Sequence, residues 1–240
     1  MIKEKSNSIF IIFCLLTIDD DVISQLTQAV SNLYDLLWSN SSGFEKIAKL
    51  TVYLTDPEFD SETMFEAGNV VYFLNMYIRS NYSVSVVFTN FTNPKILVQL
   101  EVTAFSNNGN VEEIKSENVY KHPKYAQGTK TNLGDTNMIF LSAQMGLTPN
   151  GSVISSDPAR QAEVALDNLK TLLEQNGSSF ENVTKTTLYL ADVRDFSAVN
   201  AVYARYFTNN KPARQTFPVK AMLEKGAKLQ LDIVAFSTNN

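Results

Sequence analysis

Only one histidine, His122, and one cysteine, Cys14, occur in 240 residues, so the side chains that usually carry nucleophilic and metal chemistry are nearly missing. An intramolecular disulfide, a His- or Cys-rich metal site and, unless His122 itself takes part, a Ser-His or Cys-His nucleophile pair are excluded. Any chemistry must rest on arginine, tyrosine, carboxylates, amides or the backbone. The nine glycines are scattered, with no GxGxxG and no GKS or GKT, which removes the common cradle for nucleotide phosphates. No cofactor is implied. With 20 Lys+Arg against 25 Asp+Glu the net charge is −5, so no general basic field attracts a phosphate backbone, and nucleic acid is disfavoured as a partner. No stretch reaches the ~18 apolar residues that a membrane-spanning helix needs.

The elements that must position such residues show themselves through an internal repeat. Asn32-Leu33, Leu36-Leu37, Phe44-Glu45, Lys49, Thr51, Tyr53-Leu54 and Asp56 recur at one offset as Asn168-Leu169, Leu172-Leu173, Phe180-Glu181, Lys185, Thr187, Tyr189-Leu190 and Asp192. Phe65, Ala67, Asn69 and Val71-Tyr72 answer Phe196, Ala198, Asn200 and Val202-Tyr203. Val98-Gln99-Leu100-Glu101 answers Leu229-Gln230-Leu231-Asp232, and each run continues to Ala-Phe-Ser. The chain reads as a tandem duplication: a degenerate unit over 1–106, a polar linker over 107–121 and a second unit over 122–240.

Within the second unit, Ala162, Ala165, Leu166, Leu169, Leu172 and Leu173 predict a helix over 157–175, started near Ser156 or Asp157 with Pro158 in its first turn and ended by Asn176-Gly177. Thr184–Leu190 and Lys228–Phe236 alternate as strands, and Phe196–Phe207 returns to helical spacing. Each unit is thus hairpin, helix, strand, helix, strand, strand: a mixed α+β layer with two helices on one sheet face. The other sheet face must be hidden by the sister unit or another subunit. Ser8–Leu16 falls where Asn137–Gln144 falls in the second unit, so it is read as a strand in preference to the apolar core of a signal peptide behind Lys3 and Lys5. The Asn-x-Ser/Thr sequons at Asn40, Asn81, Asn90, Asn150, Asn176 and Asn182 do not alter that reading.

The second unit resembles the RidA/YjgF family over nearly its whole length. The resemblance rests on Pro123-Lys124-Tyr125-Ala126-Gln127-Gly128, Leu141-Ser142-Ala143-Gln144, Asp195-Phe196 with Val199-Asn200 and Tyr203, and Pro212-Ala213-Arg214. It implies a chorismate-mutase-like α+β fold, clefts between packed subunits, and a homo-oligomer, either a trimer or a pseudo-hexamer. It also implies hydrolysis of reactive 2-imino and enamino acids to 2-keto acids and ammonia. The compartment is read as cytoplasmic, with mitochondrial and secreted locations left open. On that resemblance Arg214 clamps the substrate carboxylate through two parallel donors. Tyr125 packs on or hydrogen-bonds the substrate, Asn200 orients neighbouring backbone, and Ala143 and Thr216 line the site.

Departures accompany the matches. Where the family commonly has a glutamate on the last strand, this chain has Gln230, which holds a water without accepting its proton; Asp232 lies two residues on, on the same strand face. Ala143 replaces a glycine and Thr216 a cysteine. In the first unit the arginine position falls on or near Ser83, which predicts a chemically silent scaffold. Two further readings stand beside the deaminase: a non-catalytic small-acid binder or interaction module, and a ribonuclease or translation inhibitor, for which the negative charge is unfavourable. Each site residue also has a plain alternative. Arg214 as a surface ion-pair former, Tyr125 as a packing residue, and Asn200 and Gln230 as structural amides whose counterparts Asn69 and Gln99 sit in the silent half. His122 reads as an exposed loop residue, and Cys14 and Trp38 as core.

Overall fold

The structure, a computed structural model, describes residues 9–14, 21–55, 74, 82–106 and 109–238. A four-stranded sheet in the first half has the order β1 (Ile9–Cys14), β4 (Val98–Phe105), β2 (Ile47–Leu54), β3 (Ser83–Phe88). A six-stranded sheet follows, in the order β5 (Val111–Ile114), β6 (Gly128–Asn132), β7 (Thr136–Gln144), β10 (Leu229–Thr238), β8 (Val183–Leu190), β9 (Ala213–Pro218). The β7-β10-β8-β9 part has the neighbour order of the first sheet and the same pair senses: antiparallel, antiparallel, parallel. The expected helix over residues 65–72 lies outside the described residues.

One helix face covers each sheet. α1 (Val22–Ser39) buries an apolar stripe of Leu26, Ala29, Leu33 and Leu37, and in α2 (Pro158–Glu174) the like stripe predicted by three- and four-residue steps is buried, with Ala162, Ala165, Leu169 and Leu173 in it. Both helices begin where an aspartate caps orphan N–H groups: Asp21 accepts from Ile23 and Ser24, and Asp157 accepts from Ala159 with Pro158 behind it. The third helix, α3 (Phe196–Tyr206), packs beside α2 on the second sheet.

A buried glutamine locks each long helix to its sheet. Gln25 donates to the Lys95 carbonyl at 2.7 Å and accepts from Leu97 N at 2.9 Å. Gln161 donates to the Gly226 carbonyl at 3.0 Å and accepts from Lys228 N at 2.7 Å. Each pairs with backbone groups just before the closing strand, tying the helix to the sheet. Beside Gln161, a Cβ at Gly146 would come within 2.5 Å of the helix backbone, so only glycine lets the chain leaving β7 pass so close.

The second faces of the two sheets are hidden against each other. Apolar contacts join Ala48 and Phe105 to Phe140 and Val234, and Val87 to Met145 and Tyr189. Backbone contacts fix the register: Ser142 Oγ accepts from Val84 N at 2.9 Å and donates to the Ala126 carbonyl at 2.6 Å, while Thr129 Oγ1 donates to the Ala48 carbonyl at 2.7 Å. The sequence expectation that this face needs a cover is met within one chain.

Two expectations are corrected. Residues 111–114, read as linker, form β5, paired antiparallel with β6; four residues with two central glutamates give too short an alternation to register as a strand, yet suit a charged sheet edge. Trp38, read as core, is 72% exposed and stacks on Tyr34, because both lie off the Leu26–Leu33–Leu37 stripe that faces the sheet. No helix among the described residues is long and apolar enough to cross a membrane.

Candidate functional site

Arg214 stands on β9, the outer strand of the six-stranded sheet, opposite Thr186 of β8. Its side chain lies on the helix side of the sheet. Nη1 donates to Asn200 Oδ1 at 2.8 Å, and the guanidinium carbon sits 4.6 Å from the Tyr203 ring centroid and 5.8 Å from that of Phe196. Tyr203 is itself fixed, its hydroxyl 2.9 Å from Thr186 Oγ1 and its ring stacked 4.3 Å from Phe207. Burial raises the Tyr203 phenol pKa, an effect that the Thr186 hydrogen bond and the Arg214 charge oppose.

The guanidinium therefore rests on an aromatic shelf with one donor held by an amide and, among the described residues, the remaining donors open. Asn200, Tyr203, Ala204, Phe207, Lys211, Pro212 and Arg214 line an open cavity of about 330 Å³, at the lower end of the ~300–1,000 Å³ typical of small-ligand sites. Arg214 is exposed. No carboxylate lies within ion-pairing distance of it among the described residues, so its expected alternative as a surface ion-pair former is not what the geometry shows. Thr216 follows two residues later on the same strand face and is half-buried.

Tyr125, Gln230 and Ala143 lie elsewhere in the chain, at the junction of the two sheets. Gln230 is 2% exposed and Nε2 donates to the Val86 carbonyl at 2.7 Å. It pairs with Tyr189, three residues beyond Thr186 on β8, which puts it on the sheet face opposite Arg214. A carboxylate at 230 would set an acceptor against that carbonyl; an amide supplies the donor the position needs. Asp232, two residues on along the same strand face, is also engaged: Lys49 Nζ is 2.7 Å away and Ser85 Oγ donates to it at 2.8 Å. Ala143 is buried in a bulge where Ser142 and Ala143 together oppose Asp232.

Tyr125 is half-buried, packs against the first half's core and stacks 4.1 Å from His122. His122, expected in the open, is half-buried and accepts from Lys124 N. Burial, with the Lys124 charge, pulls its pKa down to about 4, and burial pushes the Tyr125 phenol up.

A single chain thus brings Arg214 to Asn200 but not to Tyr125 or Gln230. The strand that faces the latter pair is β3. Its register opposite β2 sets Val84 where Arg214 stands opposite β8, and Val86 where Thr216 stands. The first half's arginine position, expected on or near Ser83, is occupied by the apolar Val84. Sequence reasoning missed three participants: Tyr203 and Phe196 as the shelf, and Lys211 in the lining. The helical spacing of Phe196, Asn200 and Tyr203, which puts all three on one face, was the available signal.

A family model described as Endoribonuclease L-PSP matches residues 117–237, a span that contains all six candidate residues. The human protein named 2-iminobutanoate/2-iminopropanoate deaminase is 42% identical over 98 residues, 40% of this chain and 71% of the relative. Protein DfrA of Myxococcus xanthus is 40% identical over 114 residues, 47% of this chain and 85% of the relative. The chloroplastic Reactive Intermediate Deaminase A of Arabidopsis thaliana is 39% identical over 112 residues, 46% of this chain and 57% of the relative. The solved structure of the E. coli YjgF gene product, at 33% identity, covers 52% of this chain and 97% of that chain with a TM-score of 0.46.

Proposed function

Since the chain belongs to the Endoribonuclease L-PSP (RidA/YjgF) family, we propose that its second half hydrolyses small reactive 2-imino acids, or their enamine tautomers, to 2-oxo acids and ammonia. Water adds across the C=N bond, the C–N bond then breaks, and the nitrogen leaves as ammonia with the water's protons. The observation that carries this reading is Arg214: an unneutralised guanidinium, fixed by Asn200 and Tyr203, open to a small cavity. It clamps the substrate carboxylate by two parallel charge-assisted bonds. An imine carbon is already electrophilic, so positioning it beside a water supplies much of the rate.

The first half is read as a silent copy of the same unit. The shared strand order, the paired glutamine locks at Gln25 and Gln161, and Val84 in the arginine's place support this. The same comparison supports a homo-oligomer. In β3 every residue is buried, whereas in β9 all but Thr216 are exposed, Phe217 by 45%. An exposed edge strand with an apolar residue is a surface for another copy to cover. Sedimentation should give a mass that is a multiple of the chain's, and Phe217→Glu should shift it toward one chain; a wild-type protein that sediments as a single chain contradicts the assembly.

A second reading, a small-acid binder without turnover, is favoured by one observation: Gln230, the expected water-holding group, and Asp232 on the same strand face are engaged in the sheet junction. One experiment separates the two. Ammonia release from 2-iminobutanoate generated in situ by an amino-acid oxidase is expected to exceed the buffer rate. A rate equal to buffer, together with thermal stabilisation by 2-oxobutanoate, selects the binder.

A further inference from the structure

The cavity beneath Arg214 has a second cation in its lining, Lys211, three residues upstream at the approach to β9. Neither Lys211 nor Arg214 is within 4 Å of a carboxylate among the described residues, and no acidic residue lines this cavity. Glu181 lines a neighbouring open cavity together with Lys211 but makes no ion pair with it. That carboxylate is engaged by Asn209 Nδ2 at 3.3 Å, and its backbone carbonyl accepts from Asn210 Nδ2 at 2.9 Å. The rest of the lining is Asn200 and the buried faces of Tyr203 and Phe207, with Ala204 and Pro212.

Two unpaired cations on one small cavity, in a chain with net charge −5, mark a place where a single anionic group leaves one positive charge unanswered. One carboxylate is enough for the Arg214 fork. A ligand with a second carboxylate satisfies both.

We infer that Lys211 is a specificity residue that selects 2-imino acids carrying a second, side-chain carboxylate. This rests on the reading of Arg214 as the clamp for the 2-carboxylate. The Arg214 fork fixes the ligand's plane, and Lys211, a point charge on a flexible stem, takes the distal group. An exposed charge pair contributes modestly, so the preference is about fivefold, the upper end for such pairs.

The test compares the affinities of 2-oxobutanoate and 2-oxoglutarate for the intact protein by calorimetry at low salt. The expected result is tighter binding of 2-oxoglutarate by about fivefold, with the ratio reduced to near one in Lys211→Ala and inverted in Lys211→Glu. If the wild type binds both acids alike, or keeps its preference in Lys211→Ala, the role of Lys211 is overturned while the Arg214 clamp stands. Should neither acid bind, the clamp and this inference fall together.

Discussion

Arg214→Ala is expected to lower kcat/KM for 2-iminobutanoate by about 10²–10³-fold while leaving the fold intact, since Arg214 is exposed and, among the described residues, makes one hydrogen bond to protein, to Asn200. The magnitude follows from removing a bidentate, charge-assisted contact at ~1.5–3 kcal/mol per hydrogen bond, most of which serves to orient the reacting carbon. Arg214→Lys keeps the charge but loses both the planar fork and the stacking over Tyr203, and should recover no more than about tenfold of the loss. None of the residual activity in Arg214→Ala should come from the first half, because Val84 occupies the corresponding place there and offers no carboxylate a partner. Stopped assays of ammonia release on the three proteins check all of this; a variant with wild-type kcat/KM contradicts it.

Asp232→Ala is expected to destabilise the protein by about 3–5 kcal/mol, read from urea unfolding. Its carboxylate is 1% exposed as a residue and faces Lys49 Nζ at 2.7 Å across the sheet junction, with Ser85 Oγ at 2.8 Å. Removing one partner strands a buried ammonium, the costly case for buried pairs, whereas replacing both by apolar groups of similar size is close to neutral. Lys49→Met combined with Asp232→Leu should therefore recover most of the lost stability. Nearby, Tyr53 donates to Glu101 at 2.8 Å, and burial together with these carboxylates raises the phenol pKa of both Tyr53 and Tyr189. If Asp232→Ala costs less than about 1 kcal/mol, the ion pair does not join the sheets.

Much of the second sheet was legible because its signals are local. The alternation over Thr184–Leu190 and Lys228–Phe236 corresponds to β8 and β10, and the helical spacing over Phe196–Phe207 to α3. Asp157 and Pro158 mark the start of α2 as their capping chemistry requires. The site was legible only in part. Arg214 and Asn200 meet because one helix and one strand of the same unit carry them. Gln230, Asp232 and Ala143 were expected near substrate because the family resemblance places a glutamate at 230 and a small residue at 143, with Asp232 two residues on along the same strand face. They are buried because the first sheet brings complementary groups to that face, namely the Val86 carbonyl, Lys49 and Ser85. Such pairing depends on how two distant segments dock, which neither periodicity nor motif spacing encodes. The aromatic shelf escaped notice for a different reason: a tyrosine at helical spacing looks the same whether it fills a core or supports a guanidinium.

Arg214 is proposed to grip the carboxylate of a small 2-oxo or 2-imino acid. A crystal soaked in 2-oxobutanoate tests it most directly. The ligand's carboxylate is expected in the plane of the Arg214 guanidinium with paired N–H···O contacts of ~2.7–2.9 Å, inside the cavity lined by Asn200 and Tyr203. Ligand bound at another place in the molecule with Arg214 untouched, or no ligand at a concentration that saturates binding in solution, contradicts it.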